Sequence, residues 1–441
     1  MRGLRLIAPL LLSASLSSAE PPAAEPPLSL SVQQSIEMAV RNNVAARLAK
    51  ANSAVSRGRT LQAASSLLPR LMGSMGETRV FRENLAAWGF TQGGPFPLLL
   101  GPFNVFDARI QLVQEVFDLG AALRLRAAGA QERSAALEER LANEQVAAAA
   151  ALAYVELLRA RKAIATSQAD EELAASLLQL AQDKQAAGTA AGIDVARAKT
   201  REAEQKLQLL EARTAAEEME IRFKRVIGAP FSRAVALLND LGFSPVEPPK
   251  VEELVRAALS DRLELKISEE QFLSASSAWR SAQADRLPAV AFMGDVGLSG
   301  NQPDSSARTT GTAGLALRMP LFSGRSIEGR VQEASGVRSG AEAQLQDMRT
   351  RIEEDARLAL TELTSAIERV STAEEALRLS ENELEMARDR FAAGVADNVE
   401  LLNAQTALSH ARDIQVAALA RHHAARINLS MALGKMTDFR F

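Results

Sequence analysis

The sequence has no cysteine among its 441 residues. No disulfide can staple it, no thiolate can act as nucleophile or metal ligand, and no N-terminal cysteine can carry a lipid anchor. Aromatic residues make up 4% of the chain, with a single tyrosine, which argues against one large conventional core. After the N-terminus no uninterrupted apolar stretch of about 20 residues occurs, so a helical membrane protein is excluded. Neither sign of charge dominates: 51 Lys and Arg face 54 Asp and Glu, for a net −3. The charges are interspersed, and no basic block or aromatic-interleaved patch points to nucleic acid. Histidine is scarce too. His422 and His423 are adjacent, about 100° apart on a helix, and His410 is remote, so the three do not form a metal site. A phosphate-loop signature, an HExxH and a nucleophile elbow are all missing. The carboxylate pairs Glu217–Glu218 and Glu353–Glu354 read as solvated ion-pair partners on exposed helices. No catalytic, cofactor-binding or metal-ligating residue is assigned, and an enzyme is not expected.

What is present begins with MRGLRLIAPLLLSASLSSAE. Arg2 and Arg5 form a basic segment, 6–12 an apolar one, and Ser17-Ser18-Ala19 a small-residue cleavage site. Residues 1–19 are therefore expected to be a secretory signal peptide, and 20–27 a stiff proline-rich lead-in.

The rest of the chain is duplicated. KQAAGTAAGIDVARAKT at 184–200 aligns without a gap to RFAAGVADNVELLNAQT at 390–406, an offset of 206 residues set by Gly188 and Gly394. In each copy a glycine loop closes one helical pattern and an acid-bearing turn opens the next. Asp397 or Asn398, and less clearly Gly192, can cap the outgoing helix. Each copy reads as the tip of a long helical hairpin. Leading into the second tip, Leu363, Val370, Leu377, Leu384 and Phe391 recur every seven residues, each four residues after a small one: Ala359, Ala366, Ala373, Ser380 and Ala387. The same offset finds Ala153, Ala160, Ser167, Ala174 and Ala181 in the first half, and Ala404, Ala411, Ala418, Ala425 and Ala432 continue the rule beyond the second tip. A seven-residue repeat holds its seam toward a partner through a left-handed supercoil, and small residues let the axes approach.

A helix is expected over 32–66, stopped by Pro69, with its second-half counterpart ahead of Pro288. Over 104–116 the period changes to two: Phe106, Ala108, Ile110, Leu112 and Val116 alternate with Asp107, Arg109, Gln111 and Glu115. That is a strand with one apolar and one polar face. The expected organisation is a first repeat over 28–227, with strands at about 70–81 and 104–117 and a long hairpin over 120–227. A Gly- and Pro-rich linker over 228–249 follows. A second repeat over 250–436 carries strands at about 289–300 and 309–322 and a hairpin over 324–434, before a tail at 437–441. Helices of this length would run about 100 Å at 1.5 Å per residue. Four strands separated by such helices cannot close a barrel within one chain, so several chains must contribute.

The stretches LSLSVQQSIEMAVRNN, SLLPRL, QEVFDLG with MPLFSGR, and the paired tips ending in IDVARAKT and VELLNAQTAL resemble the outer-membrane efflux protein family, the TolC-like channels. The resemblance spans roughly 28–436. It implies a fold that is mainly α with transmembrane β, in which long coiled-coil hairpins form a periplasmic α-barrel. Four strands per chain enter a trimeric, 12-stranded outer-membrane barrel. It implies a homotrimer set in outer-membrane lipid, docked on a periplasmic adaptor (membrane fusion) protein and linked to an inner-membrane pump of resistance-nodulation-division, ABC or other type. By position, Gly188, Thr189, Ala190, Gly394, Val395 and Ala396 match adaptor-docking tip loops. Asp194 and Glu400 match acids at the periplasmic gate, with Asn403 standing where some relatives carry a second aspartate. The implied function is the exit duct of a tripartite efflux or type I secretion system. The alternative is a non-conducting periplasmic coiled-coil adaptor or tether, which the alternating strand at 106–116 disfavours. Drug, metal and protein export all stay open.

Overall fold

The computed structural model describes residues 26–89, 97–304 and 306–441. The signal-peptide reading and most of the lead-in lie outside them. In chain order the elements are β1 (Leu28–Leu30), α1 (Val32–Asn42), α2 (Val44–Ala64), β2 (Arg70–Val80), the short β3 (Glu83–Asn84) and β4 (Leu99–Leu100), β5 (Phe103–Phe117), α3 (Leu119–Ala186) and α4 (Gly192–Ile227). Then come β6 (Val235–Leu237), α5 (Val251–Asp261), α6 (Leu263–Ala284), β7 (Ala289–Gly300), β8 (Arg308–Arg318), α7 (Ser326–Ala392) and α8 (Asn398–Ala432). The chain is mainly helical, with a four-stranded antiparallel sheet ordered β2-β5-β7-β8 and a small antiparallel pair of β3 and β4.

The register of that sheet sorts its side chains by polarity. Asp107, Arg109, Gln111 and Glu115 of β5 share a face with Asp295 of β7 and with Thr312 and Arg318 of β8. On this face Arg109 is paired with Asp107 and lies 3.1 Å from Asp295, the Thr312 hydroxyl donates to Asp295, and Arg318 pairs with Glu115. The other face carries Ile110, Leu112, Val296, Leu298, Leu315 and Leu317, several of them exposed. A bulge after Glu115 brings Phe117 opposite Val290, on the apolar side. The strand expected to reach Phe322 ends at Arg318, because Pro320 lacks the N–H that the ladder needs.

The helix expected over 32–66 is two helices. Asn43, with φ −65° and ψ 138°, breaks the chain. Its side-chain oxygen accepts from the Ala45 N–H at 2.8 Å, and its amide donates to the Val226 carbonyl at 2.9 Å. One residue thus caps the start of α2 and the end of α4. The second repeat breaks at Arg262, between α5 and α6. Gly228 and Gly434, again 206 apart, end α4 and the α8 turn with φ of +68° and +67°. A Cβ at Gly228 would stand 2.7 Å from Asn42 Cβ; at Gly434 it would meet only ordinary contact, 3.4 Å from Arg262 Cα.

The small-residue seams are buried where α3, α7 and α8 pack. Ala359, Ala366, Ala373 and Ala387 of α7 and Ala404, Ala411, Ala418, Ala425 and Ala432 of α8 are all inaccessible, as are Ala160, Ala174 and Ala181 of α3. Around the middle of the helices lies a collar of shorter elements. The linker contains β6, which pairs in parallel with β1. Tyr154, fully buried, sets its hydroxyl 3.0 Å from the Leu30 carbonyl and accepts from the Asn239 N–H at 3.2 Å.

His422 and His423 belong to this collar. Their Nε2 atoms lie 3.0 Å from the Ser244 carbonyl and 2.7 Å from the Gly242 carbonyl, and the C-terminal Phe441 stacks on His423 at 4.1 Å. A ring nitrogen facing a carbonyl carries the proton, which leaves each Nδ1 bare and buried. Burial pushes the His423 pKa down to about 4, against a weaker opposing effect of the Gly242 bond. The folded state therefore resists a proton that the unfolded chain takes up near about pH 6.5. Stability should be complete above that value and fall as pH drops toward about 4, by roughly 3 kcal/mol per chain. Denaturant unfolding across this window should show His423→Gln with a shallower acid limb than the native chain; parallel limbs would refute the assignment.

Candidate functional site: the paired helical tips

At the end of each hairpin the backbone turns in the same way. The Thr189 N–H donates to the Lys184 carbonyl and the Gly188 N–H to the Gln185 carbonyl, each at 2.9 Å. Val395 and Gly394 repeat this with Arg390 and Phe391, at 3.0 and 3.1 Å. Gly188 and Gly394 both take φ +74°, the left-handed conformation that this closure requires and that glycine adopts without strain. Both are exposed, and a Cβ on either would meet nothing within 4 Å. Thr189 and Val395 are exposed beside them, with Ala190 and Ala396 half-buried.

The outgoing helices start differently. Asp397 is the N-cap of α8 and accepts from the Glu400 N–H at 3.0 Å. The first tip has Ala191 at that position, not Gly192, and Asp194 reaches back to accept from the Ala191 N–H at 3.1 Å. Asp194 is half-buried, whereas Glu400 is exposed and ion-paired with Arg390 at 2.9 Å. Asn403 is exposed on α8, three residues beyond Glu400.

Two contacts tie the tips to each other. The Asn398 side-chain amide, itself buried, donates to the Asp194 carbonyl at 2.9 Å. The Lys184 ammonium crosses to the last carbonyls of α7, bonding Phe391 and lying 3.2 Å from that of Ala392, with the Phe391 ring 4.7 Å away. A cation there also complements the negative end of the α7 dipole. Sequence reasoning offered Asn398 only as an alternative cap of the outgoing helix and did not single out Lys184. Lys184 and Arg390 are equivalent by the 206-residue offset, so two basic residues in last turns were the available signal. Their divergent use, Lys184 across to the other hairpin and Arg390 within its own, is set only by packing.

Farther from the tips, buried Asp170 of α3 takes the Arg412 guanidinium and the Ser409 hydroxyl of α8. Neighbouring Asp413 has its pKa pushed up by burial and then by the charge of Asp170. Like the tip contacts, this one joins the two hairpins of a single chain. The described residues contain no group of three His, Asp or Glu side chains able to hold a metal ion.

A half-apolar sheet continued by antiparallel hairpins of this length, with paired glycine tips at the far end, is the fold of solved outer-membrane channel proteins. Residues 254–435, the second repeat, match the family described as outer membrane efflux protein. The chain is 22% identical over 358 residues to the outer membrane protein TolC of Escherichia coli strain K12, covering 76% of this chain and 70% of the relative. It is 24% identical over 351 residues to the alkaline protease secretion protein AprF of Pseudomonas aeruginosa, covering 78% and 72%. Its fold superposes on VceC from Vibrio cholerae with a TM-score of 0.80 at 20% identity, over 91% of this chain and 96% of that one. For the CmeC outer membrane channel of Campylobacter jejuni the TM-score is 0.82 at 17% identity, over 92% and 85%. The chain is thus similar to outer membrane efflux proteins in its second half, and its fold is that of solved outer-membrane channels.

The tip contact made by Lys184 has a local consequence. Lys184→Met should speed amide hydrogen exchange across 392–398 by about fivefold, the loss of roughly 1 kcal/mol expected of one charge-assisted contact. Exchange at the seam over 411–425 should not change. Unaltered exchange at the tip would remove Lys184 from any role in holding the hairpins together.

Proposed function

We propose that three copies of this chain form the exit duct of a tripartite efflux or type I secretion system. The observation that carries the reading is the unfinished sheet: β2 and β8, each of 11 residues, are open edges of a four-stranded sheet with one apolar face. Unpaired backbone is not tolerated in lipid, so β8 of one copy pairs with β2 of the next, and three copies close a 12-stranded barrel. Apolar residues left exposed on α2 (Val44, Leu48, Val55) and α4 (Leu207, Leu210, Ile221) supply a lateral face for the neighbouring copy. The repeats, 28–227 and 250–436, then each contribute a hairpin to one periplasmic tube, joined through the linker at 228–249. A non-conducting tether would have no use for the apolar sheet face.

In this assembly the tips form the periplasmic gate. Asp194 and Glu400 come together as six acids around one axis, with Asn403 a turn deeper. Gly188, Thr189, Ala190, Gly394, Val395 and Ala396 present the open loops to a periplasmic adaptor, which connects the duct to an inner-membrane pump. A ring of carboxylates at a constriction favours cations and lets multivalent cations bridge and block it. In planar bilayers the Asp194→Asn, Glu400→Gln double variant should lose most cation preference and most block by multivalent cations added on the tip side. Unchanged reversal potential and block would leave Asp194 as the partner of the Ala191 N–H and Glu400 as that of Arg390, and nothing more.

Docking is tested separately. Both tip glycines face open space, and aspartate is among the residues that tolerate their left-handed conformation, so Gly188→Asp and Gly394→Asp should fold and assemble. Each places an extra desolvated charge against the partner and should cut adaptor-dependent export by about tenfold. Normal export by both variants would show that the adaptor sits elsewhere.

A further inference from the structure

Beyond the tips, one cavity stands out. It lies where the end of α8 and the start of α6 meet, between α3 and α7, and has a volume of about 300 Å³. Leu141, Leu263, Leu358, Met431 and Met436 form its apolar walls. Four carboxylates, Glu144, Glu264, Asp355 and Glu362, reach it with a single base, Arg262.

The charge at this pocket is not compensated. Arg262 is shared between Glu264 at 2.8 Å and Asp355 at 2.6 Å, so those three groups together remain anionic. Glu144 is held by neutral donors of the C-terminal tail, the Met436 and Thr437 N–H groups and the Thr437 hydroxyl. Among the described residues Glu362 accepts from the Asn428 amide, at 3.2 Å. Four acids against one base leave a formal charge of −3 beside an apolar wall that includes two flexible methionines.

The lining residues also fix which side of the helices the pocket opens on. Gln145 stands nine residues from Tyr154, and Met431 and Ala432 stand nine from His422 and His423. Nine residues are about half a turn out of phase on a helix. Tyr154, His422 and His423 face the collar. Leu358 is likewise about 200° round from Ala356, which packs beneath α5. The pocket therefore opens on the side opposite the collar, which in the proposed tube is the bore.

We propose that this pocket is a binding site in the duct wall for drug-sized amphiphilic organic cations. The inference rests on the duct reading for its access to the bore. The volume is at the lower end of small-molecule sites, and the pairing of apolar walls with excess carboxylate selects a delocalised cation over an anion or a hydrated metal ion. One such pocket per chain gives the proposed trimer three sites around the bore. They favour residence of lipophilic cations in transit.

The probe is tetraphenylphosphonium, with the isosteric anion tetraphenylborate as its control, titrated calorimetrically into the purified assembled protein. One saturable cation site per chain is expected, with no competition from the anion. Glu362→Gln should weaken it by about tenfold, as expected for one charge contact in a partly desolvated pocket, and Leu358→Trp, which fills the space, should abolish it. Non-saturable partition, equal binding of both ions, or affinity unchanged in Glu362→Gln would each overturn the proposal. Conductance of the same preparations in planar bilayers reads the duct independently. A conducting channel without saturable cation binding ends the pocket proposal alone, and saturable binding without conductance ends the duct reading while the pocket stands.

Discussion

Two helices can run side by side for about 100 Å only if their axes approach closely and evenly along the whole length. In this chain that condition is met by alanine. The seam positions of α8, from Ala404 to Ala432, are all buried, and those of α7 answer them from Ala359 to Ala387. Alanine brings no side-chain entropy to lose and no bulk to push the axes apart. Each seam residue buries little area, so the hairpins gain cohesion from length rather than from a thick core. The low aromatic content follows from the same geometry, and Tyr154 and Phe223 are spent where the collar thickens the wall.

Long seams make the helix ends critical. At the collar, α4 hands over to α2 through Asn43, which bonds both helices, while α8 hands over to α6 at Arg262, which is paired with acids instead. The two junctions occupy equivalent places in the two halves yet differ chemically, and the second holds the cavity while the first is closed by Asn42 packed close to Gly228. The tips diverge in the same manner. Lys184 crosses between hairpins and Arg390 stays within its own, so equivalent positions either join or release the two halves of the wall. The two hairpins thus share a backbone plan and differ in the side chains that join them.

Among the described residues, the buried polar groups named above hold structure. The buried histidines support the collar against Phe441, and Asp170 links α3 to α8. What the fold offers a solute is surface: a sheet whose polar face carries Arg109 between two aspartates, a seam-built wall, and tips with acids at the helix starts. Channel proteins act through such placement of charge and shape.

Sequence by itself determined the features that depend on neighbours along the chain. The 206-residue duplication, the seven-residue seams, the glycine closures at 188 and 394, and the period-two strand around Arg109 are written in spacing, and spacing fixes local conformation. It misjudged ends where a single residue acts through a distant partner. Asn43 broke an expected helix by binding Val226, 183 positions away, and the linker at 228–249 held a strand that forms only because β1 lies beside it. The glycine turns and the acid-bearing helix starts were legible because those conformations are local, whereas the contacts of Lys184, Asn398 and Arg412 were not, since each acts on the opposite hairpin. Tertiary structure alone decided those contacts and the cavity at Arg262, because both arise from which helices are brought together, and periodicity records only that a face is to be buried, not against what.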